Sequence, residues 1–271
     1  MRVRISTIAL TLVILYTAGC KKAYDYIEKN PTGTCDACKI TQFVTYSGSF
    51  KTARDVSYDK KGNIISIVAQ TDNVPNYDYY FRYDNKNRIA ERIAVYHGSL
   101  GGAILWDSYR YFKDKIVDTL YTYSGNYHDP APPVNNYIGK TYEELKLDAQ
   151  GRIIEATFVP GFGNPNQTVS YKYDFNANLL RDPKSLYDNK INAYRTNNMW
   201  QLTLRDYSAN NPIDIPGIDQ QTYPQIVSYN TYGLPTKYRT NRYAPNSLYT
   251  FGFIYDSLEV KYDCDLSKIN Y

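Results

Sequence analysis

A short motif recurs along the chain and constrains the fold more than any other feature of the sequence. It consists of an aromatic or aliphatic residue, an Asp or Asn, two variable residues, usually a Gly or Asn, in most copies one further residue, and then an Ile or Leu. Copies begin at Tyr58, Tyr83, Leu147, Tyr173 and Tyr229, and a degenerate copy begins at Tyr255. Their second residues fall at 59, 84, 148, 174, 230 and 256, so that copies occur in pairs 25 or 26 residues apart. Recurrence at this period indicates a repeated supersecondary unit.

The residue types in the motif predict a tight hairpin turn. An Asp or Asn at the first turn position accepts hydrogen bonds from the amides that follow it, and the fourth position requires a positive φ. The first position is occupied by Asp59, Asp84, Asp148, Asp174, Asn230 and Asp256, and the fourth by Gly62, Asn87, Gly151, Ala177 and Gly233. Gly and Asn accept a positive φ, whereas Ala177 predicts a turn that is strained or differently built. The motif is therefore typical of a type I turn with a G1 bulge.

The segments on either side of these turns have the pattern of β-strands. Apolar residues alternate with polar ones, as at Val56 and Tyr58 before the first turn, and two further alternating runs cover residues 104–111 and 116–123. Alternation with a period of two is typical of strands that have one covered face. The 31 tyrosines among 271 residues agree with this, because aromatic rings fit a pleated surface. Evidence for a helix is confined to residues 183–194, which are compatible with one short helical turn.

The first 19 residues have the features of a secretory signal peptide. Two arginines precede an apolar run over residues 5–16, which is shorter than the ~20 residues that a membrane-spanning helix needs. The following Ala18-Gly19-Cys20 resembles the bacterial lipobox, in which the cysteine becomes a diacylated N-terminus. A conventional cleavage site that happens to precede a cysteine is the alternative. We predict a signal peptide at 1–19 and a lipidated Cys20 that begins a flexible tether over 20–34.

The residue after the predicted lipidation site bears on the location of the protein. Lys21 follows Cys20, whereas an Asp at this position retains lipoproteins in the inner membrane under the best-studied bacterial sorting rule. By this resemblance the protein is expected in the outer membrane, held by its lipid anchor. The sequence leaves open whether the domain faces the periplasm or the cell surface.

The other cysteines agree with export to an oxidising compartment. Two of Cys35, Cys38 and Cys264 are expected to form a disulfide there. A bridge between the first and last strands is favoured, with Cys38–Cys264 preferred over Cys35–Cys264 and a local Cys35–Cys38 bridge as a further alternative. His97 and His128 stand alone, so that no zinc ligand set accompanies the Cys35–Cys38 pair, and no metal and no cofactor are predicted.

The recurring motif also resembles a known type of repeat. Tyr-Asp-x-x-Gly-Arg-Ile at these intervals is similar to the YD repeat of Rhs and teneurin-type proteins, which wind such hairpins into large hollow β-shells. About six hairpins are too few to close a shell of that kind. The expected fold is therefore all-β, an antiparallel meander of YD-repeat-like hairpins that forms an open curled sheet over residues 35–271.

The layout of the chain resembles a family of uncharacterised lipoproteins of the Bacteroidota over residues 35–271. The shared segments are Cys38-Lys39-Ile40-Thr41, Tyr187-Asp188-Asn189-Lys190-Ile191-Asn192, Asn210-Asn211-Pro212 and the Tyr-x-x-x-Gly-Leu-Pro run from Tyr229 to Pro235. This resemblance implies a location and a fold rather than a reaction.

No motif in the chain marks a catalytic site. There is no Gly-x-Ser-x-Gly elbow, no His-Glu-x-x-His and no glycine-rich phosphate loop, so that no catalytic residue is predicted. A net charge of +4 gives no reason to expect a nucleic acid partner. We expect a non-catalytic binding or structural lipoprotein that contacts a glycan or another envelope protein. The alternative is a glycosidase-like envelope hydrolase, whose two carboxylates would come from distant strands and leave no local motif.

The aromatic residues supply the candidate binding surface, but most of them have a structural explanation. Tyr and Trp have an apolar body and a polar tip, which suits wet binding surfaces. A Tyr that directly precedes a turn Asp is expected at a core or cross-strand position instead. Trp106 and Trp200 are likewise expected in the core, which leaves the tyrosines outside the turns as candidates.

Overall fold

The computed structural model describes part of the chain. The described residues are 34, 37–70, 76–97, 103–124, 137–159, 165–180, 186–213, 215–216, 222–223, 225–239 and 256–265. The predicted signal peptide, Cys20, Cys35, His128 and Tyr255 lie outside these residues, and so does nearly all of the predicted tether.

The protein is built on one large antiparallel sheet of thirteen strands. These are β1 (Cys38–Ser47), β2 (Phe50–Tyr58), β3 (Ile64–Ala69), β4 (Asn76–Tyr83), β5 (Ile89–His97), β6 (Ala103–Tyr111), β7 (Lys115–Ser124), β8 (Gly139–Leu147), β9 (Ile153–Val159), β10 (Gln167–Ser170), β17 (Gln225–Tyr229), β18 (Pro235–Arg239) and β19 (Ser257–Cys264). Strands β1 to β10 form a continuous meander, and β19, β18 and β17 extend it beyond β1. The sheet is not closed, which confirms the predicted all-β, open antiparallel meander.

The remaining elements lie between β10 and β17 in the chain. They are β11 (Lys172–Tyr173), β12 (Leu179–Leu180), β13 (Tyr187–Ile191), β14 (Asn210–Pro212), β15 (Ile215–Pro216) and β16 (Thr222–Tyr223), a 3₁₀ helix (Ala193–Thr196), and the helix α1 (Asn198–Leu204). The six short strands pair as β11 with β12, β13 with β14, and β15 with β16.

The sheet curls around the segment 186–213, which we call the plug. Trp200 of α1 is fully buried there and meets the ring of Phe43 edge-on, with the centroids 5.4 Å apart. The core cluster joins the plug residues Tyr194 and Met199 to apolar side chains from both halves of the sheet. Trp106 is half-buried in a second cluster, where its ring lies 5.3 Å from that of Tyr121. The plug therefore covers the inner face of the sheet.

The helices of the plug lie further along the chain than the sequence predicts. The structure begins the plug with β13 and places its helical turns at 193–204, so that the predicted helical turn at 183–194 is wrong over most of its length. Asparagine caps explain the actual positions, because Asn192 Oδ1 accepts a bond from Tyr194 N (3.0 Å) and Asn197 Oδ1 accepts one from Met199 N (2.9 Å).

The recurring turns share one set of hydrogen bonds. In the first, Asp59 Oδ1 accepts bonds from the amides of Lys61 (2.8 Å) and Asn63 (2.9 Å). The same pair of bonds forms at Asp84, Asp148, Asp174 and Asn230. Positive φ angles occur at Gly62 (85°), Asn87 (62°), Gly151 (81°), Ala177 (59°) and Gly233 (77°). The turn at Ala177 is thus built like the others and carries backbone strain.

The predicted last turn is different, and this prediction is corrected by the structure. Asp256 does not open a hairpin turn; it directly precedes β19, and its Oδ2 accepts a hydrogen bond from Gly48 N (2.8 Å). The reason is that Glu259 occupies the fourth turn position, where a positive φ is unfavourable, and the segment pairs with β1 as a strand instead.

Tyrosine hydroxyls connect each hairpin to its neighbour. Five tyrosines donate to the carbonyl of a neighbouring strand or hairpin, and most of the acceptors are the residue that follows a turn. These bonds are Tyr58 to Ile40 (2.7 Å), Tyr83 to Ile64 (2.9 Å), Tyr111 to Ile89 (2.9 Å), Tyr173 to Ile153 (3.4 Å) and Tyr262 to Pro235 (2.7 Å). Tyr58, Tyr83 and Tyr173 belong to the recurring motif, so that the motif tyrosines help to hold the turn end of the sheet together.

A disulfide joins the two ends of the domain. Cys38 at the start of β1 is bonded to Cys264 at the end of β19, 226 residues away. The two strands pair along most of their length, from Cys38 with Cys264 to Tyr46 with Ser257. The predicted bridge between the first and last strands is present.

Candidate functional site

Two cavities lie between the plug and the inner face of the sheet, at opposite ends of α1. The turn-end cavity is bordered by the recurring turns and by residues 197–202 of the plug. The acidic cavity is bordered by β5 to β9 and by Arg205, which follows α1.

The turn-end cavity has a volume of about 600 Å³. This lies within the ~300–1,000 Å³ that small-ligand pockets occupy. Its polar lining includes Lys39, Lys60, Lys61, Asn63, Tyr83, Asn87, Arg88, Tyr111, Asn197, Asn198, Gln201 and Tyr207. Burial raises the pKa of Tyr83, Tyr111 and Tyr207, so that their hydroxyls stay protonated; those of Tyr83 and Tyr111 donate to the carbonyls of Ile64 and Ile89.

Gln201 is the unusual residue of this cavity. Its side chain is 1% exposed, and neither its Nε2 nor its Oε1 has a hydrogen-bond partner in the described part of the protein. A buried amide without partners costs about 1–3 kcal/mol. Gln201 belongs to the lining of the turn-end cavity, so that the cavity is bordered by a side chain with unused hydrogen-bonding capacity.

The turn-end cavity is also positively charged. Lys39, Lys60, Lys61 and Arg88 line it, whereas no acidic residue is part of its described lining. Arg88 bonds Asp84 (2.6 Å) and stacks on the ring of Tyr111 (4.1 Å to the centroid), which fixes its guanidinium at the cavity wall. An anionic group is favoured in such surroundings.

The acidic cavity, of about 270 Å³, is lined by charged residues from neighbouring strands. Arg92 on β5 lies opposite Asp107 on β6, and Asp118 on β7 lies directly opposite Glu143 on β8. Directly opposite residues have Cβ atoms about 4.5–5.5 Å apart, and like charges in such a pair repel each other. Phe158 lies opposite Glu143 on its other side and extends the row to β9.

The charges in this row are unequally paired. Arg92 Nε bonds Asp107 Oδ2 at 2.7 Å, and Arg205 from the plug bonds Glu143. Asp118 is 7% exposed, and among the described residues it has no ion-pair partner and its Oδ1 has no hydrogen-bond partner. Burial and the nearby Asp107 carboxylate raise the pKa of Asp118 to about 8, although Arg92 and Arg205 oppose the shift. Asp118 is therefore largely protonated at neutral pH.

Some of the turn residues predicted from the sequence border a cavity, but the predicted residues do not form one site together. Gly62, Tyr83, Asn87 and Gly151 line the turn-end cavity, but they are there as parts of turns. The predicted disulfide takes no part in either cavity's described lining.

The residues that make the cavities unusual were missed by the sequence reasoning. A signal existed for Asp107 and Asp118, because each lies two residues from a buried apolar residue on its strand, Tyr109 and Ile116 respectively. Alternation alone therefore puts both carboxylates on the covered face. Gln201 has no comparable signal.

The described residues contain neither a candidate metal-binding group nor a helix that could span a membrane. None of their His, Cys, Asp and Glu side chains form a group of three or more that could hold a metal ion. No helix in the described ranges is long and apolar enough to cross a membrane.

Comparisons with known proteins show distant structural similarity. No protein-family model matches the chain, and no curated protein matches it. The chain is similar to the crystal structure of a porin-like protein from Bacteroides vulgatus, with 16% sequence identity and a TM-score of 0.41. The similarity covers 83% of this chain and 98% of that one.

Proposed function

We propose that this protein is an exported, lipid-anchored protein of the outer membrane that binds a glycan carrying an anionic group in its turn-end cavity. The observation that carries the proposal is the buried amide of Gln201, which faces a cavity of about 600 Å³ without a hydrogen-bond partner in the described chain. A site built to hydrogen-bond a ligand leaves such a group unpaired in its absence.

The chemistry of the lining favours a hydroxyl-rich ligand. The amide of Asn198 offers both donors and an acceptor. The hydroxyls of Tyr83 and Tyr111 donate to the carbonyls of Ile64 and Ile89 and keep a lone pair that can accept a bond from a ligand. Vicinal hydroxyl groups of a sugar match this mixture better than an apolar ligand would. The surrounding lysines add a preference for a carboxylate or sulfate on the sugar.

The charge pairing in the acidic cavity favours binding over hydrolysis as the role of the protein. A glycosidase needs two carboxyl groups that are free to act on the scissile bond. Here Asp107 is bonded to Arg92 and Glu143 is bonded to Arg205, so that only Asp118 remains without an ion-pair partner. This supports the binding hypothesis against the alternative of an envelope hydrolase.

Calorimetric titration of the lipidated full chain in detergent tests the binding proposal. A disaccharide with one uronic acid should bind more tightly than its neutral counterpart. Gln201→Leu should weaken uronate binding about thirtyfold, because two hydrogen bonds of about 1 kcal/mol each are lost. The melting temperature should stay the same or rise, since the amide has no partner within the described protein.

The matched control is Gln42→Leu, whose amide donates to Asp55 (2.7 Å) outside the cavity. This variant should bind the uronate disaccharide like the wild type. Equal binding of the acidic and neutral disaccharides, or unchanged uronate binding by Gln201→Leu, would contradict the proposal. Capture of an envelope protein through the same cavity in place of the sugar would support the other partner class that the sequence left open.

The lipid anchor is tested separately at Cys20. Cys20→Ala should move the protein from the membrane fraction to the soluble fraction, because the acyl chains contribute ~0.8 kcal/mol per buried CH₂ group. Cell fractionation with mass spectrometry of the mature N-terminus measures both location and modification. The control is Cys35→Ala, which should stay with the membrane. A membrane-bound Cys20→Ala variant would show that another segment anchors the chain.

A further inference from the structure

The described lining of the acidic cavity holds one more carboxyl group than it holds cationic groups. Three carboxylates, Asp107, Asp118 and Glu143, line it together with only two guanidinium groups, those of Arg92 and Arg205. Both guanidiniums are engaged by Asp107 and Glu143. The third carboxylate is 7% exposed and presents an Oδ1 that accepts no hydrogen bond from the described residues. Each of the other two carboxylates has a cationic partner, whereas Asp118 has room for a positively charged hydrogen-bond donor.

We propose that the acidic cavity binds the ammonium group of a small primary amine, with Asp118 as its counter-ion. The row of cross-strand neighbours fixes the position of this carboxylate, because Asp118 lies directly opposite Glu143 in the sheet. An ammonium group between the two would turn a repulsive like-charge pair into an attractive arrangement. The site is separate from the turn-end cavity and does not depend on glycan binding there.

The rest of the lining favours an organic amine over a bare ion. Leu120 and Phe158 form an apolar part of the wall, and Phe158 is 36% exposed. An aromatic ring next to the site can attract the cation through its face. A cavity of about 270 Å³ has room for an amine with a small ring or short chain. In the described residues no three acids and histidines are arranged to hold a metal ion, which separates this site from a metal site.

Amine binding should compete with a proton. The groups that face Asp118 are Arg92 on β5, Asp107 and Tyr109 on β6, Glu143 on β8, and Arg205 from the plug. Burial and the nearby carboxylates raise the pKa of Asp118 to about 8, so that the amine must displace a proton at neutral pH. The affinity should therefore rise about tenfold per pH unit below pH ~8 and level off above it.

The test uses cyclohexylamine and cyclohexanol, which differ in the ammonium group and share the ring. Each compound is titrated into the full chain, and the heat of binding is measured by calorimetry in buffers of different ionisation enthalpy. We expect the amine to bind and the alcohol not to bind. Binding at pH 7 should release nearly one proton, and the affinity should be about tenfold higher at pH 7 than at pH 6.

Asp118→Asn keeps the shape of the side chain and removes its charge. This variant should lose cyclohexylamine binding at every pH while it stays folded, as measured by its thermal melt. Asp55→Asn removes an exposed carboxylate on β2 that is not part of the lining of the acidic cavity, and this variant should bind like the wild type. Equal binding of amine and alcohol, an affinity without pH dependence, no detectable amine binding, or full binding by Asp118→Asn would each overturn the proposal.

Discussion

Asp118→Asn should raise the free energy of unfolding at pH 8.5 by on the order of 5 kcal/mol and leave it almost unchanged at pH 4. The physical reason is the burial of a carboxyl group without an ion-pair partner, which raises its pKa to about 8 in the folded protein. In the unfolded chain the same group has a pKa of about 3.9. Between these values the folded state holds a proton that the unfolded state releases.

The sign of the pH effect follows from this difference. The stability that protonated Asp118 allows is fully present below pH ~4 and is lost as the pH rises through the folded pKa of about 8. An asparagine stays neutral throughout, so that the variant should not lose this part of its stability. Urea denaturation at a series of pH values measures the difference.

Two comparisons make this prediction specific to Asp118. Asp55→Asn, at a surface position, should give a curve of stability against pH that is parallel to that of the wild type. The raised pKa of Glu143, caused by burial and opposed by Arg205, adds a slope that wild type and Asp118→Asn share. If the wild-type and Asp118→Asn curves ran parallel from pH 4 to 8.5, Asp118 would have an ordinary pKa in the folded protein.

The turns and the sheet could be predicted because their determinants are local. An Asp and a Gly three residues apart specify both the hydrogen bonds and the positive φ of the first turn, at Asp59 and Gly62. The one turn that was predicted wrongly also has a local explanation. Asp256 has the Tyr-Asp start of the motif, but no residue suited to a positive φ follows it, and it directly precedes β19 instead of opening a turn. The alternation of apolar residues then supplied the covered face of each strand.

The plug and the cavities could not be predicted, because they depend on contacts between distant parts of the chain. Helix α1 has seven residues, too few to show a helical period, and Trp200 is held by Phe43 on β1. The alternation on β7 puts Asp118 on the covered face. That Asp107 has a cationic partner while Asp118 has none is decided by Arg92 and Arg205, and Arg205 comes from the plug.

Removal of the disulfide should produce the other large loss of stability. Cys38→Ala/Cys264→Ala opens a loop whose ends are 226 residues apart, and the entropic model assigns about 5 kcal/mol to closing a loop of that size. Since small domains are stable by only about 5–15 kcal/mol, the double variant should melt at a much lower temperature. Thermal and urea unfolding of the oxidised wild type and the double variant measure the difference.

The third cysteine supplies the matched control. Cys35→Ala leaves the observed bridge intact and should unfold like the wild type, whereas it would be as unstable as the double variant if Cys35 were the partner of Cys264. Non-reducing peptide mapping should recover the Cys38–Cys264 bond from both the wild type and Cys35→Ala. Chemical reduction of the wild type should reproduce the instability of the double variant.

The position of the disulfide also predicts where the protein opens first. β19 is the strand through which β17 and β18 are attached to the meander, because it pairs with β1 on one side and with β18 on the other. Without the bridge, these three strands are held to the rest of the sheet by the β1–β19 pairing and by contacts such as that of Tyr46 with Glu259 and Gly48 with Asp256. Amide exchange in the double variant should therefore rise earliest along β1 and β19, and later in β6 to β8. Uniformly faster exchange across all strands would show instead that the bridge stabilises the sheet as one cooperative unit.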